Sequence, residues 1–181
     1  MNRAELAEAI YRTSHITGSF RLRSGIESGE YFDKYLFESS PQLLSEIADH
    51  LSTLIPDGTE MLAGLELGGI PIAAALSLKS GLPSVFVRKK AKDYGTMKFA
   101  ECPDVNGRRL CLVEDVTTTG GQILKSAREL RAIGALVGDA ICVVVRNESA
   151  SASLHEEGIA LGSLYRSADL PGQSGEANSG Q

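Results

Sequence analysis

A chain of 181 residues, 43% hydrophobic and 23% charged, has the makeup of one globular domain that can bury a core without disulfide or metal staples. A net charge of −5 argues against a general nucleic-acid or membrane-surface binder, and no apolar run is long enough to span a bilayer. The three cysteines, Cys102, Cys111 and Cys142, lack CxxC spacing and read as reduced thiols; with an acid-bearing amphipathic N-terminus in place of a signal-peptide core, they predict a cytoplasmic protein.

Residues 2–14 predict a first helix, with Leu6, Ala9, Ile10 and Thr13 on one side. Phe20 and Leu22 then alternate with Arg21 and Arg23, and residues 31–35 follow a Gly- and Ser-rich turn, so two short strands form a peripheral hairpin. Ser40 before Pro41 is a helix cap with a first-turn proline, and Leu43, Leu44, Ile47, Leu51 and Leu54 continue that helix. Pro56, Asp57 and Gly58 turn the chain into a buried strand over 61–65, followed by a Gly68-Gly69 loop and a small-residue helix over 72–80 closed by Gly81. Glycines directly after a parallel strand let backbone N–H groups meet an anion.

A strand at 84–88 runs into RKKAKDYGTMKFAEC, where Arg88, Lys89, Lys90, Lys92 and Lys98 share eleven residues with the single acid Asp93. A mobile loop with that charge suits a leaving polyanion and can close over a site. Asn106-Gly107 marks a turn, and the stretch around which the chain is organised comes next: LCLVEDVTTTGGQ, residues 110–122. An apolar strand over 110–113 ends in Glu114 and Asp115, passes through a Thr and Gly loop, and becomes a helix whose apolar face, from Ile123 to Ile133, stops at Gly134.

The crevice at a strand's carboxyl end, beside a helix N-terminus, is where open α/β sheets bind ligands. Gly120 and Gly121 allow close backbone approach, the threonine hydroxyls add donors, and Thr119 with Gln122 has capping-box spacing. Paired acids just before such a phosphate cradle suit the vicinal hydroxyls of a ribose. Neither GxxxxGK[ST] nor GxGxxG is present. A further apolar strand over 138–145 ends at Arg146, a cation facing the same crevice, and a last strand occupies 159–165. His15, His50 and His155 are scattered without ligand spacing. Residues 1–170 therefore read as one domain, with a small N-terminal hood over about 1–38, and residues 171–181 as a flexible tail.

Residues 113–121 closely resemble the phosphoribosyl pyrophosphate (PRPP) signature of type I phosphoribosyltransferases. The hood resembles that of the orotate phosphoribosyltransferases through Phe20, Leu22, Arg23, Ser24, Gly25, Ser28, Tyr31 and Asp33. The cationic segment is similar to their catalytic loop, R-K-x-x-K-x-H-G, at Arg88, Lys89, Lys92 and Gly95, with Tyr94 in place of the histidine. Tyr94 still donates a hydrogen bond but cannot add the charge of an imidazolium. Gly68 stands where many members carry a lysine.

The resemblance implies an α/β fold of the type I phosphoribosyltransferase kind, a mainly parallel sheet flanked by helices with a small N-terminal hood. It implies Mg²⁺-dependent transfer of the phosphoribosyl group from PRPP to N1 of orotate, giving orotidine 5′-monophosphate and pyrophosphate in pyrimidine (UMP) biosynthesis. PRPP would be bound by Arg23, Arg88, Lys89, Lys92, Tyr94, Glu114, Asp115, Val116, Thr117, Thr118, Thr119, Gly120, Gly121 and Gln122, with Lys92 and Asp115 closest to the chemistry. Orotate would lie near Tyr31 and Phe32, oriented by Thr118 and by Arg146, whose fork grips a carboxylate. Mg²⁺ would be held mostly by PRPP itself. The active unit would be a homodimer in which loop 89–100 reaches the neighbouring active site. A phosphoribosyltransferase for another nucleobase and a non-catalytic PRPP-sensing regulator are the alternatives that these residues leave open.

Overall fold

The computed structural model describes residues 1–22, 25–90, 99–101 and 104–171. Arg23, Lys92, Tyr94, Lys98, Cys102 and residues 172–181, and with them most of the cationic loop and the predicted tail, lie outside the described residues. Helix α1 (Arg3–Ser14) starts at Asn2 with a reciprocal capping box to Glu5. It leads into an antiparallel pair, β1 (His15–Arg21) and β2 (Glu27–Phe32), in which His15 faces Phe32. The second hood strand ends at Phe32, short of the predicted residue 35. Asp33 accepts a hydrogen bond from the Tyr35 amide and caps a short helix, α2 (Lys34–Glu38), whose Phe37 and Glu38 are buried.

Helix α3 (Pro41–Ser52) is capped by Ser40 with proline in its first turn. Strand β3 (Met61–Leu65) is buried at every position, as a parallel strand covered on both faces must be. Helix α4 (Gly69–Ser80) begins at Gly69, earlier than predicted, and closes at Gly81 in the left-handed conformation. Then follow β4 (Ser84–Val87), a two-residue edge strand β5 (Ala100–Glu101), β6 (Arg109–Thr117), α5 (Gly121–Ala132), β7 (Leu136–Val145), α6 (Ser149–Glu156) and β8 (Ala160–Arg166). The edge strand β5 and helix α6 carried no sequence signal.

Six strands form one sheet in the order β5-β4-β3-β6-β7-β8; every neighbouring pair is parallel except β4 with β5. Alternating residues of the central strands feed two cores. Leu62, Cys111 and Val113 meet Leu6, Ile10, Ile47, Ile72 and Leu76 on one face. Met61, Ala63, Leu110 and Leu112 meet Ile123, Leu130 and Leu154 on the other. Each buried Leu, Ile, Val or Met among them contributes about 1.5–3 kcal/mol by leaving water, so the two layers fix the sheet firmly under its loops. Tyr165, 2% exposed, donates its hydroxyl proton to the Arg3 carbonyl at 2.7 Å and ties α1 to β8. Among the described residues no helix is long and apolar enough to cross a membrane.

The chain runs outward from β3 to β4 and returns to place β6 on the other side of β3. That reversal opens a crevice between the loops that follow β3 and β6, the position at which α/β sheets bind ligands.

Candidate active site

The crevice is built at the carboxyl end of β6. Contrary to the sequence expectation, the strand does not stop before the acids: Glu114 pairs with Cys142 and Thr117 with Val145 of β7, so the ladder carries both carboxylates into the site. Backbone pairing outweighs the poor strand propensity of the acids because both side chains find partners. Glu114 accepts from the Asp115 amide at 3.1 Å and Asp115 Oδ1 from the Val116 amide at 2.5 Å. Asp115 is fully buried and Glu114 is 8% exposed.

Two residues of α2, absent from the sequence-derived site, complete this centre. Lys34 Nζ lies 2.5 Å from Asp115 Oδ2, and the buried Glu38 carboxyl faces the same oxygen. Burial pushes Glu38 up to about 9, with the neighbouring Asp115 charge adding to the effect. Burial likewise lifts Glu114 well above the usual carboxylate range, reinforced by Asp115. Burial opposes the charge of Asp115 too, but hydrogen bonds from Glu38 and Glu114 and the Lys34 ammonium outweigh it and hold Asp115 below its ordinary value. Lys34 is raised in turn, since the Asp115 charge more than offsets its own burial. The shifts therefore concentrate the negative charge of the cluster on Asp115, opposite Lys34. The signal for Lys34 and Glu38 was present as charges one helical turn apart behind an Asp cap, but the aromatic alternation around them reads as strand.

The loop after β3 presses on this centre. The Glu66–Leu67 peptide is cis, and a Cβ on Gly68 would stand 1.8 Å from Asp115 Oδ2 and 2.6 Å from Glu38 Oε1. A side chain there would have to displace both carboxyls, so the position takes glycine. On the other side of the crevice, Thr118 and Thr119 are exposed and Gly120, at φ +75°, turns the chain into α5. The predicted Thr119–Gln122 capping box does not form. The left-handed Gly120 occupies the cap position without a side-chain bond, and Gln122 Nε2 donates instead to Ser126 Oγ at 3.1 Å. The first-turn amides of α5 and the positive end of its dipole remain as the anion-attracting element.

Arg146, just past β7, is locked beside this loop: its amide donates to the Thr117 carbonyl at 2.8 Å. Its guanidinium lies 5.5 Å from the centre of the Phe32 ring, so the hood and the sheet meet over the crevice. Tyr31, on the alternate face of β2, packs at 5.6 Å on Phe20 and is half exposed. Arg88 and Lys89 sit at the neck of the cationic loop. Arg88 pairs with Glu101 at 3.1 Å and its amide donates to the Phe99 carbonyl at 3.0 Å. The Lys89 amide donates to Glu66 Oε2 at 2.8 Å, and Lys125 Nζ donates to the Lys89 carbonyl at 2.6 Å.

Comparison with known proteins agrees with this geometry. Residues 37–159 match the phosphoribosyl transferase domain family. The chain is 49% identical over 167 residues to an orotate phosphoribosyltransferase of a Nocardioides species, covering 92% of this chain and 93% of that one. It is 45% identical over 169 residues to the orotate phosphoribosyltransferase of Methanocella arvoryzae, covering 93% and 97%. In structure it resembles Mycobacterium tuberculosis orotate phosphoribosyltransferase in complex with Fe(III) dicitrate, with a TM-score of 0.84 at 32% identity over 94% of this chain and 99% of that one. The same enzyme in complex with PRPP gives a TM-score of 0.79 at 30% identity and the same coverage.

Proposed function

Because the chain belongs to the phosphoribosyltransferase family and aligns over most of its length with orotate phosphoribosyltransferases, we propose that its strand-end site transfers the phosphoribosyl group of PRPP to N1 of orotate. Orotidine 5′-monophosphate and pyrophosphate are the products, in pyrimidine biosynthesis. The observation that supports this reading is the backbone hydrogen bond from Arg146 to Thr117: the residue that would grip the orotate carboxylate stands beside the loop that would hold the phosphate, at adjacent strand ends.

In this reading Glu114 and Asp115 accept from the ribose hydroxyls, while Val116, the three threonines, Gly120, Gly121 and Gln122 surround the 5-phosphate. The C1–O bond to pyrophosphate breaks as N1 of orotate closes on C1 and gives up its proton to the departing pyrophosphate, through a cation-like sugar that needs no protein nucleophile. Positioning and electrostatics supply the catalysis. Asp115, the one anion of the buried centre, lies near the developing positive charge. Arg23, Lys89, Lys92 and Tyr94 would neutralise and hold the pyrophosphate, together with Arg88 once it exchanges Glu101 for the ligand. Phe32, Tyr31, Thr118 and Arg146 would orient orotate.

Mg²⁺ belongs to the same proposal. Its usual ligands are substrate phosphates and water, and the donor set fits this: Glu114 and Asp115 already accept from backbone amides and Asp115 pairs with Lys34, leaving the pyrophosphate oxygens to hold the ion. When bound it would add positive charge to the leaving group. The single domain over residues 1–170 would act as a homodimer whose loop 89–100 reaches the partner site. In support, both ends of that loop are tied together at the sheet edge by Arg88, Phe99 and Glu101. A cytoplasmic location is favoured by Cys111 and Cys142, both buried as free thiols.

The discriminating variant is Arg146→Ala. Charge-assisted hydrogen bonds contribute about 1.5–3 kcal/mol, so orotate binding should weaken roughly tenfold to a hundredfold while PRPP binding holds. Equal loss of both, or of neither, would oppose the assignment of Arg146 to the base.

A further inference from the structure

We propose that Glu38 is a positioning residue for the reaction: its carboxyl carries a proton, donates to Asp115 Oδ2, and together with Lys34 fixes the anionic acceptor of the ribose site. This rests on the assignment of Asp115 to the ribose hydroxyls.

Glu38 closes the last turn of α2 and is only 6% exposed. Among the described residues its Oε1 is buried without a hydrogen-bond donor, and it presses on the same point beside Gly68 as Asp115 Oδ2, which Lys34 Nζ already reaches at 2.5 Å. A buried carboxyl oxygen without a donor, facing the oxygen of a carboxylate, is satisfied by one proton between the two. The partners decide which group holds it. Asp115 has the Lys34 ammonium and the Val116 amide to support its charge, whereas Glu38 lies farther from that cation and gains most from neutrality. The groups facing this pair are Lys34 from α2, Glu114 from β6 and the uncharged backbone of Gly68 from the loop after β3. None of them would stabilise a second anion as well as Lys34 stabilises the first. The elevation of Glu38 to about 9 agrees.

With the proton in place, Asp115 is held from both sides in one rotamer. Without it, a second buried negative charge repels the Asp115 carboxylate from the geometry the sugar needs. The KM for PRPP of the wild-type protein should therefore climb about tenfold per pH unit once pH passes the point where Glu38 ionises.

The test compares wild type, Glu38→Gln and Glu38→Ala. A glutamine amide donates at every pH, so it should rescue most of what alanine loses in the KM for PRPP at pH 7, and its KM should stay flat where the wild-type value rises. A second readout needs no substrate. Glu38 holds its proton more tightly folded than unfolded, so its stabilising contribution is complete below the unfolded value near 4.5 and is lost as pH rises through about 9. The melting temperature of Glu38→Gln relative to wild type should thus increase from pH 6 to 9 and then level off. Parallel melting curves, or a glutamine variant no better than alanine, would overturn the proposal; should the alanine variant not fold, the glutamine and wild-type curves decide alone. Melting as expected without turnover of orotate by the wild-type protein would leave the shared proton standing and overturn its role in the reaction.

Discussion

Lys34 Nζ stands 2.5 Å from Asp115 Oδ2, and this ammonium supplies, from across the crevice, the cation that the loop after β3 lacks at Gly68. Asp115 is fully buried and Lys34 one-third exposed, so the pair is neither a surface bridge nor a sealed one. Removing Lys34 leaves a buried carboxylate without its counter-charge. Lys34→Met should cost about 1–3 kcal/mol in urea denaturation at pH 7, less than a fully buried pair because solvent reaches the ammonium. The depressed value of Asp115 makes its contribution present above about pH 4 and lost as pH falls through the folded value. The raised value of Lys34 makes its contribution present below about pH 10 and lost at higher pH. The stability gap between wild type and Lys34→Met should therefore be widest near neutrality and narrow at both extremes.

Gly68 is required by contact rather than by backbone conformation. Its φ is −69°, which any residue adopts, yet a Cβ would fall 1.8 Å from Asp115 Oδ2. Gly68→Ala should destabilise the fold by about 1–3 kcal/mol through overpacking and should weaken PRPP binding measured by calorimetry. Gly68→Lys, which adds a cation beside Asp115, should bind PRPP no better, because the added Cβ displaces Asp115 before the ammonium can help.

The neck of the cationic loop offers a separate handle. Glu66 accepts from the Lys89 amide and Lys125 donates to the Lys89 carbonyl, so both polar groups of that backbone are held. Both holds are at the surface, so Lys125→Ala should change stability by no more than about 0.5 kcal/mol. Because the Lys89 backbone belongs to the segment assigned to the pyrophosphate, kcat should fall roughly threefold to tenfold with little change in the KM for orotate. An unchanged kcat in steady-state assays would remove Lys125 from the account.

The parts of this molecule legible in its sequence are those where local chemistry and burial agree. Strand Met61–Leu65 is an apolar run between turns, and helix Pro41–Ser52 announces itself through Ser40 and Pro41. The Glu114–Gly121 stretch was legible as the carboxyl end of a strand turning into a helix, because its acids, threonines and glycines are clustered in sequence. What stayed hidden depends on contacts between distant segments. Glu114 and Asp115 lie within a strand because β7 pairs with it and their charges are managed locally, which propensity does not register. Glu38 meets Asp115 only after α2 folds under the hood, and the aromatic pattern of residues 31–37 masks that helix. Helix α6 buries just Ala150 and Leu154, too few for a periodic signal, and β5 has only two residues.

The most direct measurement is the loss of orotate absorbance when the purified protein is mixed with PRPP, Mg²⁺ and orotate, with adenine, hypoxanthine and uracil assayed in parallel. Turnover of orotate alone, with pyrophosphate released in equal amount, is the predicted result, and it would show that Tyr94 serves in the loop. Binding of PRPP without turnover of any base would contradict the account and point to a PRPP sensor.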